Sequence, residues 1–121
     1  MSEVRVKRAY DPPAVDDGFR VLVDRLWPRG LTRDAAKIDL WLKDAAPSAS
    51  LRRWFGHDPT KWREFQDRYR AELVGNAALN KLLALVEGGR RVTLLFGAKD
   101  TLHNNALVLK AICERGPRDA R

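Results

Sequence analysis

The amino-acid sequence predicts a single small α/β domain over residues 1–121, in which helices flank a short, mostly parallel sheet in three layers. Three observations lead to this fold class. The length of 121 residues suits one modest core. Residues 21–23 are apolar on both faces of a strand, as in the centre of a covered parallel sheet. A second apolar strand pattern follows several helical patterns, which predicts a right-handed crossover between parallel strands.

The composition is that of an ordinary globular protein, with 45% hydrophobic and 32% charged residues. The single cysteine, Cys113, excludes an internal disulfide, and the first residues lack the layout of a signal peptide. No apolar run approaches the roughly 18 residues of a membrane span. We therefore expect a soluble, cytoplasmic protein without a membrane partner.

The chain is basic, with a formal net charge of +7 at pH 7. A positive field attracts phosphates and other anions, so the charge favours anionic partners in general. The basic residues are spread along the chain and form no run dense enough to indicate nucleic acid. A charged, solubilising surface is the commoner meaning of such a distribution.

The chain opens with alternating apolar and basic residues at Val4–Arg8, which predict a short edge strand. Residues 11–18 contain two prolines and a glycine and are expected to form a loop. The second strand is predicted over residues 19–26. It should stop at Trp27-Pro28, because proline restricts the residue before it and cannot donate a ladder hydrogen bond.

The first predicted helix begins near Thr32 and is ended by Pro47. Its apolar face is expected to carry Ile38, Trp41 and Leu42.

Two helix starts follow in the middle of the chain. Ser48 or Ser50 is the expected N-cap of a short helix that Gly56 closes. Asp58-Pro59 then supplies a capping carboxylate and a proline suited to the first helical position. Apolar residues recur behind it at spacings of three and four, which predicts an amphipathic helix with an aromatic stripe. The stripe consists of Trp62, Phe65, Tyr69 and Leu73.

The last third of the chain predicts a helix, a strand and a helix. The first helix covers about residues 76–87 and ends at Gly88-Gly89. A short, buried strand is expected over residues 91–96. The final helix is predicted over about residues 102–114, stopped by Gly116-Pro117, with residues 118–121 as a disordered tail.

Both strong strands end in polar clusters, and ligands bind beyond the carboxyl ends of strands in open parallel sheets. We therefore expect the two clusters to form a cationic pocket with an aromatic wall, which His57 would close from the side. The first cluster consists of Asp24, Arg25, Trp27 and Arg29. The second consists of Lys99, Asp100, His103 and Asn104, the last two in the opening turn of a helix whose amide groups attract anions.

Separate roles are expected within this pocket. Arg25 and Arg29 would grip a phosphate or carboxylate with paired donors, a planar geometry that lysine lacks. If the protein is a catalyst, His103 is the candidate general base or acid and Asp100 the residue that orients it.

Structural interpretations of the same residues carry comparable weight. Asp100 could be an N-cap, and Arg25 could pair with Asp24 or with a loop carboxylate. Tryptophans belong more often to a core than to a ligand site, which applies to Trp27. His57, before Asp58, could serve only as the entry to a helix.

The sequence argues against metal-site chemistry, thiol chemistry and a phosphate-binding glycine loop. Two histidines and one cysteine give no zinc-site spacing, so no metal or cofactor is predicted. Cys113 lies on the apolar stripe of the last helix, where a thiol acts as a small hydrophobe. Gly88-Gly89 follows a helix and precedes a strand, which is the reverse of a phosphate-binding glycine loop.

Taken together, several motifs resemble those of the YeaO-like branch of the domain-of-unknown-function 488 family, in order along nearly the whole chain. They comprise Asp24-Arg-Leu-Trp-Pro-Arg-Gly30, Ala46-Pro-Ser48 with Leu51-Arg, Trp54-Phe-Gly-His-Asp58, Phe65 with Arg68-Tyr69 and Glu72-Leu73, and Asp100 with His103-Asn104 and Ala106. The resemblance implies a compact bacterial α/β protein and no specific activity. Larger relatives carry cysteines near the region of residues 97–104, which has none here, so thiol chemistry is not transferred.

Three functions remain open from the sequence. The leading one is a small enzyme or ligand-binding protein for an anionic molecule, phosphorylated or nucleotide-like, held at the strand ends. The alternative is a nucleic-acid-binding or regulatory protein that uses its general positive charge and shows salt-sensitive binding. The third is an interaction module whose motifs serve packing, with Arg25 and Asp100 buried and fully paired.

Overall fold

A computed structural model describes residues 3–115 of the chain and contains one four-stranded, all-parallel sheet. Its strands are β1 (Val4–Arg8), β2 (Phe19–Leu22), β3 (Leu40–Trp41) and β4 (Val92–Phe96), in the order β1-β4-β2-β3. The predicted edge position of β1 and the parallel pairing of β2 with β4 are confirmed. The predictions for Gly116-Pro117 and for residues 118–121 lie outside the described residues.

Within residues 3–115, five α-helices accompany the sheet and confirm the predicted α/β class. They are α1 (Arg33–Ala36), α2 (Ala49–Phe55), α3 (Trp62–Leu73), α4 (Ala77–Glu87) and α5 (Asn105–Arg115). Short 3-10 turns occupy Val15–Asp17, Lys43–Ala45 and Pro59–Lys61. Among residues 3–115, no helix has the length and apolar character that crossing a membrane requires.

The sheet is covered on both faces, as the apolar run at residues 21–23 predicts. Val21 pairs with Leu94, and both belong to the larger core cluster. Leu22 pairs with Leu95, and both belong to a smaller cluster together with Ile38. Successive strand residues point to opposite faces, so this alternation places one core on each side of the sheet.

The predicted helix from Thr32 to Pro47 is wrong beyond its first turn. Thr32 does cap α1, since its side chain accepts a hydrogen bond from the Ala35 N–H at 3.1 Å. The helix ends at Lys37, whose φ of 52° lies in the left-handed region. The Asp39 carboxylate then accepts from the Arg20 N–H at 2.8 Å, and the chain runs beside β2 as β3. Sheet pairing therefore outweighs the helical spacing of Trp41 and its neighbours.

The predicted N-cap and stop of α2 are confirmed, and α4 has an N-cap at Asn76 that was not predicted. Ser48 accepts from the Leu51 N–H at 3.1 Å, and Gly56 closes α2 in the left-handed conformation. Asn76 accepts from the Leu79 N–H at 2.9 Å at the start of α4. Asp58 caps the 3-10 turn that leads into α3 and does not cap α3 itself.

Two predicted boundaries shift at the end of the sheet that carries the polar clusters. β2 ends at Leu22, so residues 23–26 already belong to a loop. α5 begins at Asn105, because the Asp100 carboxylate bonds the N–H groups of Leu102 and His103 and holds them in a turn. Asn104, whose side chain accepts from the Leu107 N–H at 3.1 Å, makes the capping bond of α5. His103 thus precedes the helix.

Candidate functional site

A cleft of about 720 Å³ opens at the carboxyl ends of β2 and β4. Its walls come from the loop after β2, the loop after β4, the start of α5, and α2 with the turn that follows it. The volume lies within the roughly 300–1,000 Å³ typical of clefts that hold small organic ligands. The cleft is therefore located where the sequence predicts a ligand site.

Four arginines line this cleft: Arg25, Arg29, Arg52 and Arg53. The Nε atoms of Arg25 and Arg52 are buried and have no hydrogen-bond partner within the described part of the chain. The remaining contacts of Arg25 are long, at 3.5 Å from Nη2 to the Ala46 carbonyl and 3.8 Å from Nη1 to Asp44. Arg25 is therefore neither fully buried nor fully paired, unlike an arginine that serves packing.

Asp24 forms the floor of the cleft between the two strand ends. Its carboxylate accepts a hydrogen bond from the Gly97 N–H at 2.8 Å, and Asn105 donates a second bond to it. Burial raises the pKa of the Asp24 carboxyl above its ordinary value, and these bonds and the nearby charge of Arg52 only partly offset that rise. A side chain on Gly97 would place its Cβ 3.2 Å from Asp24 Oδ2, so glycine permits this close approach.

His103 and Asp100 form a hydrogen-bonded pair beside the cleft. His103 Nδ1 lies 2.9 Å from Asp100 Oδ2, and the imidazole ring meets the Trp62 ring edge-on at a centroid distance of 5.4 Å. The Leu102 N–H and the His103 side chain lower the pKa of the Asp100 carboxyl, which stays ionised. We assign the Nδ1 proton from this contact, because a carboxylate only accepts. Nε2 is then the ring nitrogen available to a ligand.

The amino end of α5 reaches the cleft through Asn104 and Asn105. Asn104 is buried, and its side-chain amide donates to the Asp100 carbonyl at 3.1 Å. The Asn105 amide donates to the Val23 carbonyl at 2.9 Å, just after β2. Both asparagines therefore position the loops of the site, and the helix dipole adds partial positive charge there.

The structure brings five of the predicted site residues to the cleft: Arg25, Arg29, His57, His103 and Asn104. Asp100 contacts His103 but does not line the cleft. Lys99 is exposed and does not line the cleft either. Trp27 packs elsewhere: its indole N–H donates to the Leu31 carbonyl at 2.6 Å, and its ring meets Trp41 edge-on against the smaller core. The predicted aromatic wall is not supplied by Trp27.

Arg52 and Arg53 are the cationic residues of the cleft that sequence reasoning missed. Both lie in α2, whose buried face is set by Leu51 and Phe55. Since Arg52 follows Leu51 directly, the helical spacing places it at the border of the buried face. This spacing, combined with the predicted Ser48 cap, is the signal that could have identified Arg52.

Metal and thiol chemistry have no support among the described side chains. In residues 3–115, no group of three or more His, Cys, Asp or Glu side chains is placed to hold a metal ion. Burial raises the pKa of the Cys113 thiol to about 12, so the thiol stays protonated and is a poor nucleophile.

Comparisons with known proteins identify the family. The family profile described as the inactive DUF488-N3 subclade matches residues 3–119. The uncharacterized protein YeaO of Escherichia coli is 42% identical over 106 residues, which cover 88% of this chain and 92% of YeaO. Uncharacterized proteins of Mycobacterium tuberculosis and Mycobacterium bovis are 43% identical over 108 residues, which cover 89% of this chain and 91% of theirs. No solved structure matches. The chain therefore belongs to the DUF488 family, within the subclade described as inactive DUF488-N3.

Proposed function

We propose that this protein binds a phosphate-bearing anion in the cleft at the carboxyl ends of β2 and β4. The buried, unpartnered Nε atoms of Arg25 and Arg52 carry the proposal. A buried donor without a partner costs about 1–3 kcal/mol, and more for a charged group, so a ligand oxygen that accepts from it contributes to affinity. Phosphate matches the planar fork of an arginine with two parallel bonds.

The distribution of paired charges supports the same site. Some basic residues elsewhere form ion pairs, as Arg68 does with Glu64 and Lys110 with Glu114, and others, such as Arg63, form none within residues 3–115. Among the described residues, Arg29, Arg52 and Arg53 form no ion pair with a carboxylate. Three guanidinium groups without a carboxylate partner therefore line the cleft, and their positive charge attracts anions.

Binding without turnover is the form of this function that we favour. The subclade to which the chain belongs is itself described as inactive. Under this proposal His103 Nε2 accepts a hydrogen bond from a hydroxyl group of the ligand, and Asp100 positions the ring through the 2.9 Å contact to Nδ1. The pair remains the candidate general acid or base of the site.

Calorimetric titration with inorganic phosphate tests the proposal. Wild type should bind, and Arg52→Gln should bind at least about tenfold more weakly, because a charged hydrogen bond contributes roughly 1.5–3 kcal/mol. Arg63→Gln is the matched control, since Arg63 is exposed on α3 outside the cleft lining. Absence of phosphate binding to wild type, or equal affinities in all three proteins, would contradict the proposal.

The nucleic-acid alternative is distinguished by its salt dependence. A basic face that covers several phosphates loses affinity steeply as salt rises, with a slope that counts the phosphates contacted. The cleft predicts a shallow slope and no advantage of an oligonucleotide over a small phosphate. Tight oligonucleotide binding that survives Arg52→Gln would favour the alternative.

A further inference from the structure

We infer that the ligand is an organic phosphate whose remaining part presents an apolar face, and that this face packs against Leu26 and Pro47. The inference rests on the proposed phosphate site and adds to it the chemical class of the ligand. It follows from the lining of the cleft, from the order of residues along α2 and from the size of the space.

The cleft has an apolar side that inorganic phosphate would leave uncovered. Its apolar lining residues are Leu26, Ala46, Pro47, Ala49, Phe55, Phe65 and Ala98. Leu26 is 66% exposed although the arginines on either side of it in the loop, Arg25 and Arg29, line the same cleft. Covering this side chain with an apolar group of a ligand removes hydrocarbon surface from water and so favours binding.

At the amino end of α2, apolar residues of the cleft lie about one helical turn from its arginines. Pro47 and Ala49 lie at its amino end, and Arg52 and Arg53 follow about one turn later. At 1.5 Å per residue, Ala49 and Arg52 are about 4.5 Å apart along the helix axis. A ligand that reaches both sides therefore carries its phosphate and its apolar group only a few bonds apart.

The size of the cleft agrees with such a molecule. At about 720 Å³ it has room for much more than a phosphate ion and falls in the range of sites for small organic ligands. Asp24 also lines the cleft near Arg52, and its carboxylate disfavours a phosphate placed directly against it. A nucleoside monophosphate has both parts, which are one phosphate and a ring with apolar faces.

The experiment compares inorganic phosphate, ribose 5-phosphate, adenosine 5′-monophosphate and adenosine by calorimetry. Wild type should bind adenosine monophosphate about tenfold more tightly than either ring-free phosphate, the gain expected from covering roughly 50–60 Å² of apolar surface. Leu26→Gln should lose this advantage and keep its affinity for inorganic phosphate. Leu102→Gln is the matched control, because Leu102 is 72% exposed and does not line the cleft.

The outcomes separate the two proposals. If adenosine monophosphate binds no better than ribose 5-phosphate, or if Leu26→Gln behaves as wild type, the inference about the apolar face is overturned and the phosphate site stands. If adenosine binds as tightly as its monophosphate, or if no phosphate binds, the proposed function is overturned and the inference with it. Thermal unfolding of each variant verifies that it is folded, and both leucines are exposed enough for glutamine to be accommodated.

Discussion

The carboxylate of Asp24 accepts a hydrogen bond from the backbone N–H of Gly97 at 2.8 Å, which ties the loop after β2 to the residue after β4. The same carboxylate is bonded by Asn105 at the start of α5. One partly buried acid thus joins three segments that form the cleft. The geometry of the site depends on Asp24 although its charge opposes an anionic ligand.

The first prediction concerns the pH dependence of stability through Asp24. Its pKa is raised in the folded protein, mainly by burial, above the ordinary value of 3.8. The folded state therefore holds this proton more tightly than the unfolded state does. The stabilising contribution of Asp24 is complete below the ordinary pKa and is lost as the pH rises through the folded pKa. Asp24→Asn removes this titration.

Urea unfolding of wild type and Asp24→Asn at several pH values from about 4 to 7 measures the effect. The unfolding free energy of wild type minus that of Asp24→Asn should fall as the pH rises. Asp67→Asn, at an exposed position of α3, should show no such trend. A difference between wild type and Asp24→Asn that is independent of pH would contradict the raised pKa.

The second prediction compares two neighbouring ion pairs at the other end of the sheet. Asp17 and Arg20 are buried and joined at 2.6 Å, and the Arg20 guanidinium also donates two bonds to the Ala36 carbonyl. Arg20→Met leaves a buried carboxylate with only Lys7 as its charged partner, and should lower the unfolding free energy by about 3 kcal/mol.

The exposed pair of Arg5 and Asp16, joined at 3.0 Å, supplies the control. Exposed ion pairs contribute little, because water and salt screen them, so Arg5→Met should leave the unfolding free energy nearly unchanged. Chemical denaturation of both variants gives the comparison. Equal losses in the two would mean that burial does not decide the strength of these pairs.

Elements whose stabilising interactions are local in sequence could be predicted, and elements that depend on distant residues could not. The cap at Ser48 depends on a side chain that bonds an amide three residues away, and the continuous apolar run of β2 indicates that the strand is buried. β3 could not be predicted, because the two residues Leu40 and Trp41 form a strand only through pairing with β2. Local pattern does not contain this pairing.

The same distinction between local and long-range causes applies to the residues of the candidate site. The carboxyl-end rule indicated the loops that carry Arg25 and His103, since it depends only on strand direction. Arg52 of α2 lines the cleft and Trp27 does not. Both outcomes depend on the three-dimensional path of the chain, which the local sequence does not indicate. Trp27 instead packs against Trp41, a residue of the unpredicted β3, and so does not line the cleft.

The third prediction concerns Tyr69, a fully buried residue of α3. Its hydroxyl donates to the Ala45 carbonyl and so links α3 to the segment that precedes α2. Tyr69→Phe leaves that carbonyl without this donor inside the protein, which should cost about 1–3 kcal/mol of unfolding free energy.

Tyr10→Phe is the control for Tyr69, because the Tyr10 hydroxyl also donates to a carbonyl, that of Arg29 at 3.0 Å, but the residue is exposed. Water replaces the lost hydroxyl there, so its stability should change little. Thermal and urea unfolding of the two variants measure both effects. A Tyr69→Phe variant as stable as Tyr10→Phe would show that the buried bond contributes nothing.

The fourth prediction concerns the tautomer of His103. The Asp100 carboxylate can only accept, so the 2.9 Å contact places the neutral ring's proton on Nδ1. In Asp100→Asn the side-chain amide can donate to Nδ1, and the ring should then carry its proton on Nε2. The imidazole ¹⁵N shifts at alkaline pH report this inversion, and those of His57, which has no such partner among the described residues, should stay as in wild type. An Nε2 proton already in wild type would contradict the positioning role of Asp100. The nitrogen that the cleft offers to a ligand would then be a donor and not an acceptor.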